Sequence, residues 1–243
     1  PPTLTNIPAN ETVSCDAIPG PPSGVTAMDN CDNPSNITID LEEEMLPGTC
    51  GSNQLLKRIW TATDGCGNKT QAEQLIAIED NTAPVLVGVP ANFTATCEDI
   101  LLAPLNVTAT DNCSMATVSV NDVVTAGNCT NNYIIERTWT ATDECGLETK
   151  HTQTITVQDT TAPTPTTTFD KTLDVSCADV PDAPSLEFSD NCSSSTNITV
   201  TFEETNTFDE NVLEDYQITR TWTVKDECNN EEVYTQAINV SLD

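Results

Sequence analysis

The chain has 243 residues, which is enough for one large domain or for two or three small ones. Its 38 acidic and 8 basic residues give a formal net charge of -30, which excludes nucleic-acid binding as the default interpretation and disfavours docking on an anionic membrane. Eleven cysteines beside one histidine and no CxxC pair favour disulfides in an oxidising, extracellular compartment over a zinc site. No run of about 18 apolar residues occurs, so we expect no membrane insertion in this segment.

One motif occurs three times along the chain. RIWTATDGCGN begins at Arg58, RTWTATDECGL at Arg137 and RTWTVKDECNN at Arg220, with spacings of 79 and 83 residues. Each copy follows a D-N-C triplet, and the sequences EDNTAP and QDTTAP separate the copies. Self-similarity at a fixed period is the signature of a repeat architecture. We therefore predict three tandem domains, 1–80, 81–159 and 160–243.

Within a repeat, the pattern is typical of β-strands. Before the DECG turn of the second repeat, one face of the segment carries Ile135, Arg137, Trp139 and Ala141. This period of two predicts a strand with one buried face, and the segment HTQTITVQD after the turn predicts a second strand. No stretch has a helical period of 3.6 residues with caps. The sequence therefore predicts an all-β chain of three small β-sandwiches, each of about 80 residues.

The recurring motifs resemble those of a known family. The strings VSC, ATDNC, RTWTATDECG and QTITVQDTTAP are similar to hyalin-repeat (HYR-like) Ig-like domains, which occur in large surface adhesins of gliding bacteria that use type IX secretion. The resemblance covers all three repeats and implies an Ig-like array on the bacterial cell surface. It also implies O-glycosylation at a D-T-T motif, with Thr160 as the candidate. Repeat 3 departs from the pattern at Lys225 and by lacking one cysteine.

An Ig-like topology implies a disulfide pairing. Repeats 1 and 2 hold four cysteines each, and in an Ig-like sandwich these lie in two pairs at opposite ends of the domain. The implied bonds, all within repeats, are Cys15–Cys50, Cys31–Cys66, Cys97–Cys129, Cys113–Cys145 and Cys192–Cys228. Cys177 is left as a free thiol, for which we expect a buried position, with an intermolecular bridge as the alternative.

Aspartates recur at three places in each repeat. One ends the tryptophan-bearing strand, one precedes the D-N-C cysteine, and one ends the repeat. The strand topology gathers them where one repeat meets the next, as the two sets Asp80, Asp111, Asp143 and Asp159, Asp190, Asp226. Converging carboxylates repel unless neutralised, and Ca²⁺ takes 6–8 oxygen ligands, so we predict structural Ca²⁺ at both places. The alternative is that these aspartates form turns by bonding to the backbone.

The arginines and tryptophans occupy fixed repeat positions. The chain has three arginines, each two residues before a tryptophan and therefore on the same face of its strand. We predict that these six residues belong to the cores, with each guanidinium stacked on the indole or paired with a carboxylate. The set is Trp60, Trp139, Trp222, Arg58, Arg137 and Arg220.

The sequence favours a structural function. It contains no GxSxG, HExxH, P-loop or GxGxxG motif, so we expect no enzyme activity, no catalytic residue and no cofactor beyond structural Ca²⁺. We predict a stalk or filament segment of a surface adhesin, whose partners are further repeats of the same polypeptide or laterally associated copies. The alternative is a ligand- or glycan-binding module that uses loop 205–215 of repeat 3.

Overall fold

A computed structural model describes residues 1–31, 33–99, 101–104, 106–212 and 214–242. Strands dominate it, and each repeat contributes six strands to one two-stranded and one four-stranded sheet. The chain is thus an all-β array of three tandem β-sandwich repeats, as the alternation of apolar and polar residues predicts. The two helices within the described part of the chain are 3-10 turns of three residues, and neither is long enough to cross a membrane.

Repeat 1 shows the topology that the other two repeats follow. Its elements are β1 (Thr3–Thr5), β2 (Glu11–Ser14), β3 (Thr26–Met28), a 3-10 turn (Pro34–Asn36), β4 (Thr38–Pro47), β5 (Gln54–Thr63) and β6 (Lys69–Glu79). The large sheet has the order β2-β6-β5-β4, and β1 pairs with β3 in the small sheet. β4, β5 and β6 are antiparallel, whereas β2 runs parallel to β6. The residue that follows β2 therefore lies near the end of the repeat.

Repeats 2 and 3 repeat this arrangement. Repeat 2 contains β7 (Val85–Val87), β8 (Phe93–Ala95), β9 (Thr108–Thr110), β10 (Thr117–Ala126), β11 (Tyr133–Thr142) and β12 (Glu148–Val157). Repeat 3 contains β13 (Thr164–Pro165), β14 (Thr172–Ser176), β15 (Phe188–Ser189), a 3-10 turn (Ser195–Asn197), β16 (Thr199–Asn206), β17 (Tyr216–Lys225) and β18 (Glu231–Ser241). Their large sheets have the orders β10-β11-β12-β8 and β14-β18-β17-β16.

The central strand of each large sheet provides most of the core. Alternate residues of β5, β11 and β17 are buried, and those of β5 are Leu56, Arg58, Trp60 and Ala62. Burying one apolar side chain of this size stabilises the fold by about 1.5–3 kcal/mol. Each sheet therefore places its tryptophan and its arginine on the same buried face.

The chain divides into two compact units. The first consists of Pro1–Val89, Pro104–Asn121 and Thr138–His151, and the second of Pro90–Ala103, Asp122–Arg137 and Thr152–Asp243. Repeat 2 contributes residues to both units. The junction between repeats 1 and 2 lies in the first unit, and the junction between repeats 2 and 3 lies in the second. The domain boundaries 1–80, 81–159 and 160–243 stay a prediction.

Candidate functional site

The disulfides lie at the two junctions. In the first junction, Cys15 bonds Cys113 and Cys50 bonds Cys145, with Cα–Cα distances of 5.6 and 5.1 Å. The second junction has the equivalent bonds, Cys97–Cys192 and Cys129–Cys228, at 5.8 and 5.1 Å. Each bond joins residues 95 to 99 positions apart, so two covalent links tie each repeat to the next.

The five disulfides predicted within the repeats are wrong. These were Cys15–Cys50, Cys31–Cys66, Cys97–Cys129, Cys113–Cys145 and Cys192–Cys228. The reason is the parallel pairing of β2 with β6, which brings Cys15 to the end of repeat 1, where the D-N-C turn of repeat 2 supplies Cys113. The prediction considered each sandwich by itself, and it therefore did not include cysteines of the next repeat as bonding partners.

Three cysteines are free. Cys31 and Cys66 of repeat 1 and Cys177 of repeat 3 carry thiols, and all three are exposed. Cys177 is thus unbonded in the structure, but the expectation that its thiol is buried is wrong. The backbone N–H of Cys177 donates to the carbonyl of Ser241 at 3.0 Å, which fixes the loop that follows β14 near the end of β18.

The first junction gathers three aspartates around one small volume. Carboxylate oxygens of Asp80 and Asp111 lie within 4.8 Å of each other and of the Cys113 sulfur. The side chains of Asp80 and Asp143 are nearly inaccessible, since the two residues are only 5% and 7% exposed. Burial raises the pKa of Asp80, and the charges of Asp111 and Asp143 raise it further. Asp80 and Asp111 are thus close enough to share a cation, and Asp143 acts on Asp80 through its charge. Metal binding by the three aspartates stays a prediction.

The two oxygens of these carboxylates have different surroundings. Oδ1 of Asp143 accepts hydrogen bonds from the N–H groups of Cys145 and Leu147 at 2.8 and 2.9 Å, and Oδ1 of Asp111 caps the D-N-C turn in the same way. The Oδ2 atoms of Asp80, Asp111 and Asp143 are buried and accept no hydrogen bond. One oxygen of each turn aspartate thus shapes the backbone, and the other is available to a cation.

The second junction gathers the equivalent aspartates but gives them more hydrogen-bond donors. Oδ2 of Asp226 accepts from Asn230 Nδ2 at 2.7 Å, and Oδ2 of Asp159 accepts from the Ser193 hydroxyl at 3.4 Å. Of this set, Asp190 keeps a buried Oδ2 without a hydrogen bond. Burial again raises the pKa of Asp159, with further contributions from the charges of Asp190 and Asp226.

Hydrogen bonds between repeats reinforce the second junction. Thr130 Oγ1 donates to Glu227 Oε2 at 3.2 Å, and Asn131 Nδ2 donates to Glu227 Oε1 at 3.1 Å and to the carbonyl of Cys192 at 3.0 Å. Asn230 Nδ2 also donates to the backbone carbonyl of Asp159 at 3.1 Å. These side chains escaped the sequence analysis because asparagine and threonine are common throughout the chain.

Amide donors hold the corresponding aspartate of repeat 1. Asn68 Nδ2 donates to Asp64 Oδ2 at 2.8 Å, and the N–H groups of Cys66 and Asn68 donate to Asp64 Oδ1 at 2.9 and 2.8 Å. These hydrogen bonds hold the pKa of Asp64 below its usual value. The carboxylate at this repeat position is thus satisfied by protein donors, as that of Asp226 is.

The three arginines lie on the buried faces of the large sheets. Each is almost fully buried and pairs with a carboxylate on the neighbouring strand. The pairs are Arg58–Glu43, Arg137–Asp122 and Arg220–Glu204, with N–O distances of 2.8, 2.7 and 2.7 Å. Each also donates to a backbone carbonyl of the loop that leads away from the first strand of the large sheet. Stacking on the indole was the other arrangement that the sequence allowed.

A buried glutamine accompanies each arginine, and the sequence analysis missed it. The three side-chain amides donate to backbone carbonyls just before β2, β8 and β14. The residues are Gln74, Gln153 and Gln236. Their recurrence on the strand after the tryptophan motif is a signal that comparison of the repeats could have detected.

The structure also gives the surroundings of the tryptophans, of loop 205–215 and of Thr160. Trp60, Trp139 and Trp222 are buried. In loop 205–215, of which Leu213 lies outside the described residues, Phe208 is 48% exposed and packs edge-on against Tyr216 at 5.2 Å. Thr160 lies exposed in the segment between repeats 2 and 3. Ligand binding by the loop and glycosylation of Thr160 stay predictions.

No family model and no curated protein matches this chain. Among solved structures, it is similar to mouse cadherin-23 EC22-24, with 16% identity and a TM-score of 0.41 over 100% of this chain and 98% of that one. It is also similar to the protocadherin GammaB4 extracellular domain, with 13% identity, a TM-score of 0.39 and coverage of 100% and 49%. For the human desmocollin-1 ectodomain the identity is 12%, the TM-score 0.31 and the coverage 100% and 61%. The chain therefore spans about half the length of the protocadherin structure.

Proposed function

We propose that this chain is a structural segment of an extracellular adhesin, in which disulfides tie successive repeats together and Ca²⁺ fixes their junctions. The observation that carries the proposal is the set of three buried Oδ2 atoms at the first junction that no protein group hydrogen-bonds. Asp80, Asp111 and Asp143 would hold the ion there, and Asp159, Asp190 and Asp226 would hold it at the second junction. The ion would supply positive charge and fix the angle between repeats.

Electrostatics supports a cation at the first junction. A buried carboxylate oxygen that accepts no hydrogen bond costs about 1–3 kcal/mol, even where the other oxygen of the group is hydrogen-bonded. A divalent cation removes this cost without protonation. The spacing of Asp80 and Asp111 is suitable, since their oxygens lie within 4.8 Å and two oxygens that share one Ca²⁺ at about 2.4 Å can be at most about 4.8 Å apart. The nearby Cys113 sulfur is engaged in a disulfide and is not counted as a ligand.

The chemistry of the ligand set favours Ca²⁺ over other metals. All candidate groups are oxygens, which are the donors that hard cations prefer, and backbone carbonyls can complete a Ca²⁺ shell. Zinc and copper sites rely on imidazole and thiolate, and the chain has one histidine, in β12. Magnesium demands a closer octahedral set than three side chains provide, so we expect it to bind more weakly.

The disulfides support the extracellular assignment. Proteins of oxidising compartments keep such bonds, whereas cytosolic proteins rarely do. The array is covalently continuous across each junction, which suits a segment that carries mechanical load. The hyalin-repeat motifs extend this proposal to a bacterial surface adhesin exported by type IX secretion, and that extension is based on the motifs alone.

Calorimetric titration of the chain with CaCl₂ tests the proposal. We expect heat of binding for the natural chain and its loss at the first junction in Asp80→Asn, which keeps an oxygen acceptor but removes the charge. Asp40→Asn, on the exposed face of β4, is the matched control because it removes the same charge away from the junctions. We also expect small-angle X-ray scattering to record a smaller maximum dimension in EGTA than in Ca²⁺. Absence of binding heat together with identical scattering profiles would refute the Ca²⁺ part of the proposal.

A further inference from the structure

Within the described part of the chain, the edge strand β4 of repeat 1 pairs with a neighbour on one side only. It lies at the end of the order β2-β6-β5-β4 and pairs with β5 over ten residues, Thr38–Pro47. The N–H and C=O groups of successive strand residues point to opposite edges, so about half of those of β4 face away from β5. Such an edge is able to accept one more strand.

The inner face of β4 is only partly covered. The four-stranded sheet is wider than the two-stranded sheet of β1 and β3 that completes the sandwich. Ile39 and Met45 lie opposite the buried residues Ala62 and Leu56 of β5, yet they are 36% and 48% exposed. β4 therefore presents apolar side chains at a place where an added strand would remove them from water.

A shallow depression of about 370 Å³ lies beside this inner face. Ile18, Met45 and Leu56 contribute its apolar lining. The two charged residues that line it, Arg58 and Glu43, form an ion pair with an N–O distance of 2.8 Å. The depression thus suits an apolar side chain rather than a charged one.

The outer face of β4 carries an acidic stripe, which consists of Asp40, Glu42 and Glu44. Alternate residues of a strand share a face, so these three carboxylates follow one another along it. All three are exposed, and none forms an ion pair with another of the described residues. Lys57 lies opposite Glu44 but pairs with Glu73 of β6 at 2.9 Å. The acidic stripe therefore keeps its negative charge.

The equivalent edge strands of the other two repeats lack this stripe. The three edge strands can be aligned on the carboxylate that pairs with the buried arginine. The positions of the stripe are then Ser119, Asn121 and Val123 in β10, and Thr201, Glu203 and Thr205 in β16. Recognition that depends on all three carboxylates is therefore specific to repeat 1.

We propose that β4 binds an extended segment of a partner protein in which lysine or arginine alternates with apolar residues. The segment adds to the large sheet as a further strand, with its backbone bonded to the free edge of β4. Its basic side chains lie on the outer face beside the acidic stripe. Its apolar side chains lie on the inner face, with one of them in the depression. The site goes beyond the proposed function, because it shares no residue with the aspartate sets proposed to hold Ca²⁺.

Charge decides against a second copy of this chain as the occupant. Two β4 strands in antiparallel pairing would set the carboxylates of one acidic stripe opposite those of the other, and like charges directly opposite are destabilising. The net charge of -30 on each copy adds to this repulsion. A basic segment brings the opposite charge to the same positions.

Fluorescence anisotropy with the full chain in EGTA tests the proposal. The probe is a labelled ten-residue peptide in which lysine alternates with valine, and we expect saturable binding that weakens as salt is added. A peptide of the same composition, with its lysines and valines in two blocks, should bind about tenfold more weakly because it cannot place all its lysines on one face.

N-methylation of the peptide tests whether its backbone bonds to the edge of β4. Only alternate N–H groups of an added strand face its neighbour. N-methylation of the lysines alone and of the valines alone should therefore give opposite results, with one peptide losing binding and the other keeping it.

Substitution of the acidic stripe locates the site on the chain. Asp40→Asn with Glu42→Gln and Glu44→Gln should weaken binding of the alternating peptide by about tenfold, because three cross-strand charge pairs are lost. The matched control removes the same charge from exposed positions of repeat 3 and should change binding by less than about twofold. It combines Glu203→Gln, Glu210→Gln and Glu232→Gln. Circular dichroism confirms that both variants are folded.

Five results would overturn the proposal. Absence of binding, equal binding of the alternating and block peptides, or equal losses in the two triple variants would show that β4 does not select such a segment. Binding that survives both N-methylations would show that the edge is not used. A dimer of the chain in analytical ultracentrifugation that dissociates in Met45→Lys would assign the edge to a second copy instead.

Discussion

The two junctions share their fold and their disulfides but differ in how they treat their carboxylates. At the first junction, the Oδ2 atoms of Asp80, Asp111 and Asp143 accept no hydrogen bond. At the second, the Oδ2 atoms of Asp159 and Asp226 accept bonds from side-chain donors. The first junction therefore carries uncompensated buried charge, whereas the second is largely satisfied by the protein itself.

One substitution between repeats accounts for part of this difference. The position that is Asn230 in repeat 3 is Leu147 in repeat 2, and a leucine has no amide to donate to Asp143. At the second junction, the Asn230 amide donates to Asp226 Oδ2 at 2.7 Å. This turn residue, rather than the sandwich fold, thus decides whether that Oδ2 atom has a donor.

The largest effect we expect is the removal of a disulfide, which both junctions share. Cys50→Ser with Cys145→Ser should lower the free energy of unfolding by about 2–5 kcal/mol, because the bond closes a long loop in the unfolded chain. Cys129→Ser with Cys228→Ser should cost a similar amount. Urea denaturation in Ca²⁺ measures both. If either pair of substitutions left stability unchanged, its bond would not be the one that the structure shows.

The next effect separates the junctions by their response to Ca²⁺. The ion stabilises the folded chain by about 2.7 kcal/mol when its concentration is 100 times the dissociation constant. We expect Asp143→Asn to remove most of this stabilisation and Asp226→Asn to remove little, since Asp226 is already hydrogen-bonded. Thermal unfolding with Ca²⁺ and with EGTA measures the difference. An equal loss in the two variants would contradict the distinction between the junctions.

Exchanging the two turn residues should convert one junction towards the other. Leu147→Asn supplies a donor to Asp143 Oδ2, so we expect a weaker calorimetric response to Ca²⁺ and a gain of about 1 kcal/mol in EGTA. Asn230→Leu should cost about 1–3 kcal/mol in EGTA, because it leaves Asp226 Oδ2 without its donor. The control Leu147→Met keeps an apolar side chain and should change neither quantity. A loss of stability in Leu147→Asn, or a gain in Asn230→Leu, would show that these residues do not set the difference.

The smallest effect is a dependence of stability on pH without metal. The folded pKa values of Asp80 and Asp159 are raised above 3.8 by burial. A carboxyl with a raised folded pKa contributes stability that is complete below its unfolded pKa and is lost as pH rises through the folded pKa. In EGTA, acidification from neutral pH towards pH 4 should therefore raise the melting temperature, and Asp80→Asn should reduce the rise.

Calcium should reverse this trend. Protons compete with the ion for the same oxygens, so in Ca²⁺ the melting temperature should fall over the same pH range. Asp122 should not contribute to either trend. Its pairing with Arg137 lowers its pKa, so the stability that this pair provides is lost only below pH 3.8, outside the range tested. A rise with acidification in both conditions would argue against metal at Asp80.

Part of the candidate site could be predicted from the sequence, and part could not. That Asp80 lies beside Asp111 could be expected from their repeat positions and from the direction of the strands. The donors at the second junction, such as Asn230 and Ser193, could not be singled out among so many asparagines and serines. Whether such a side chain donates to a carboxylate depends on differences in position of about an ångström, which no pattern of residue types encodes.

The sequence by itself determined the three repeats, the buried face of each tryptophan-bearing strand and the placement of the aspartates at the junctions. These properties depend on the period of the residues along the chain, which is visible without coordinates. Only the tertiary structure decided which cysteines bond. Cys15 is far from Cys113 along the chain, and they meet because β2 runs parallel to β6 and ends at the next repeat. A disulfide requires Cα atoms within about 7 Å, and that distance is a property of the packed junction rather than of any one repeat.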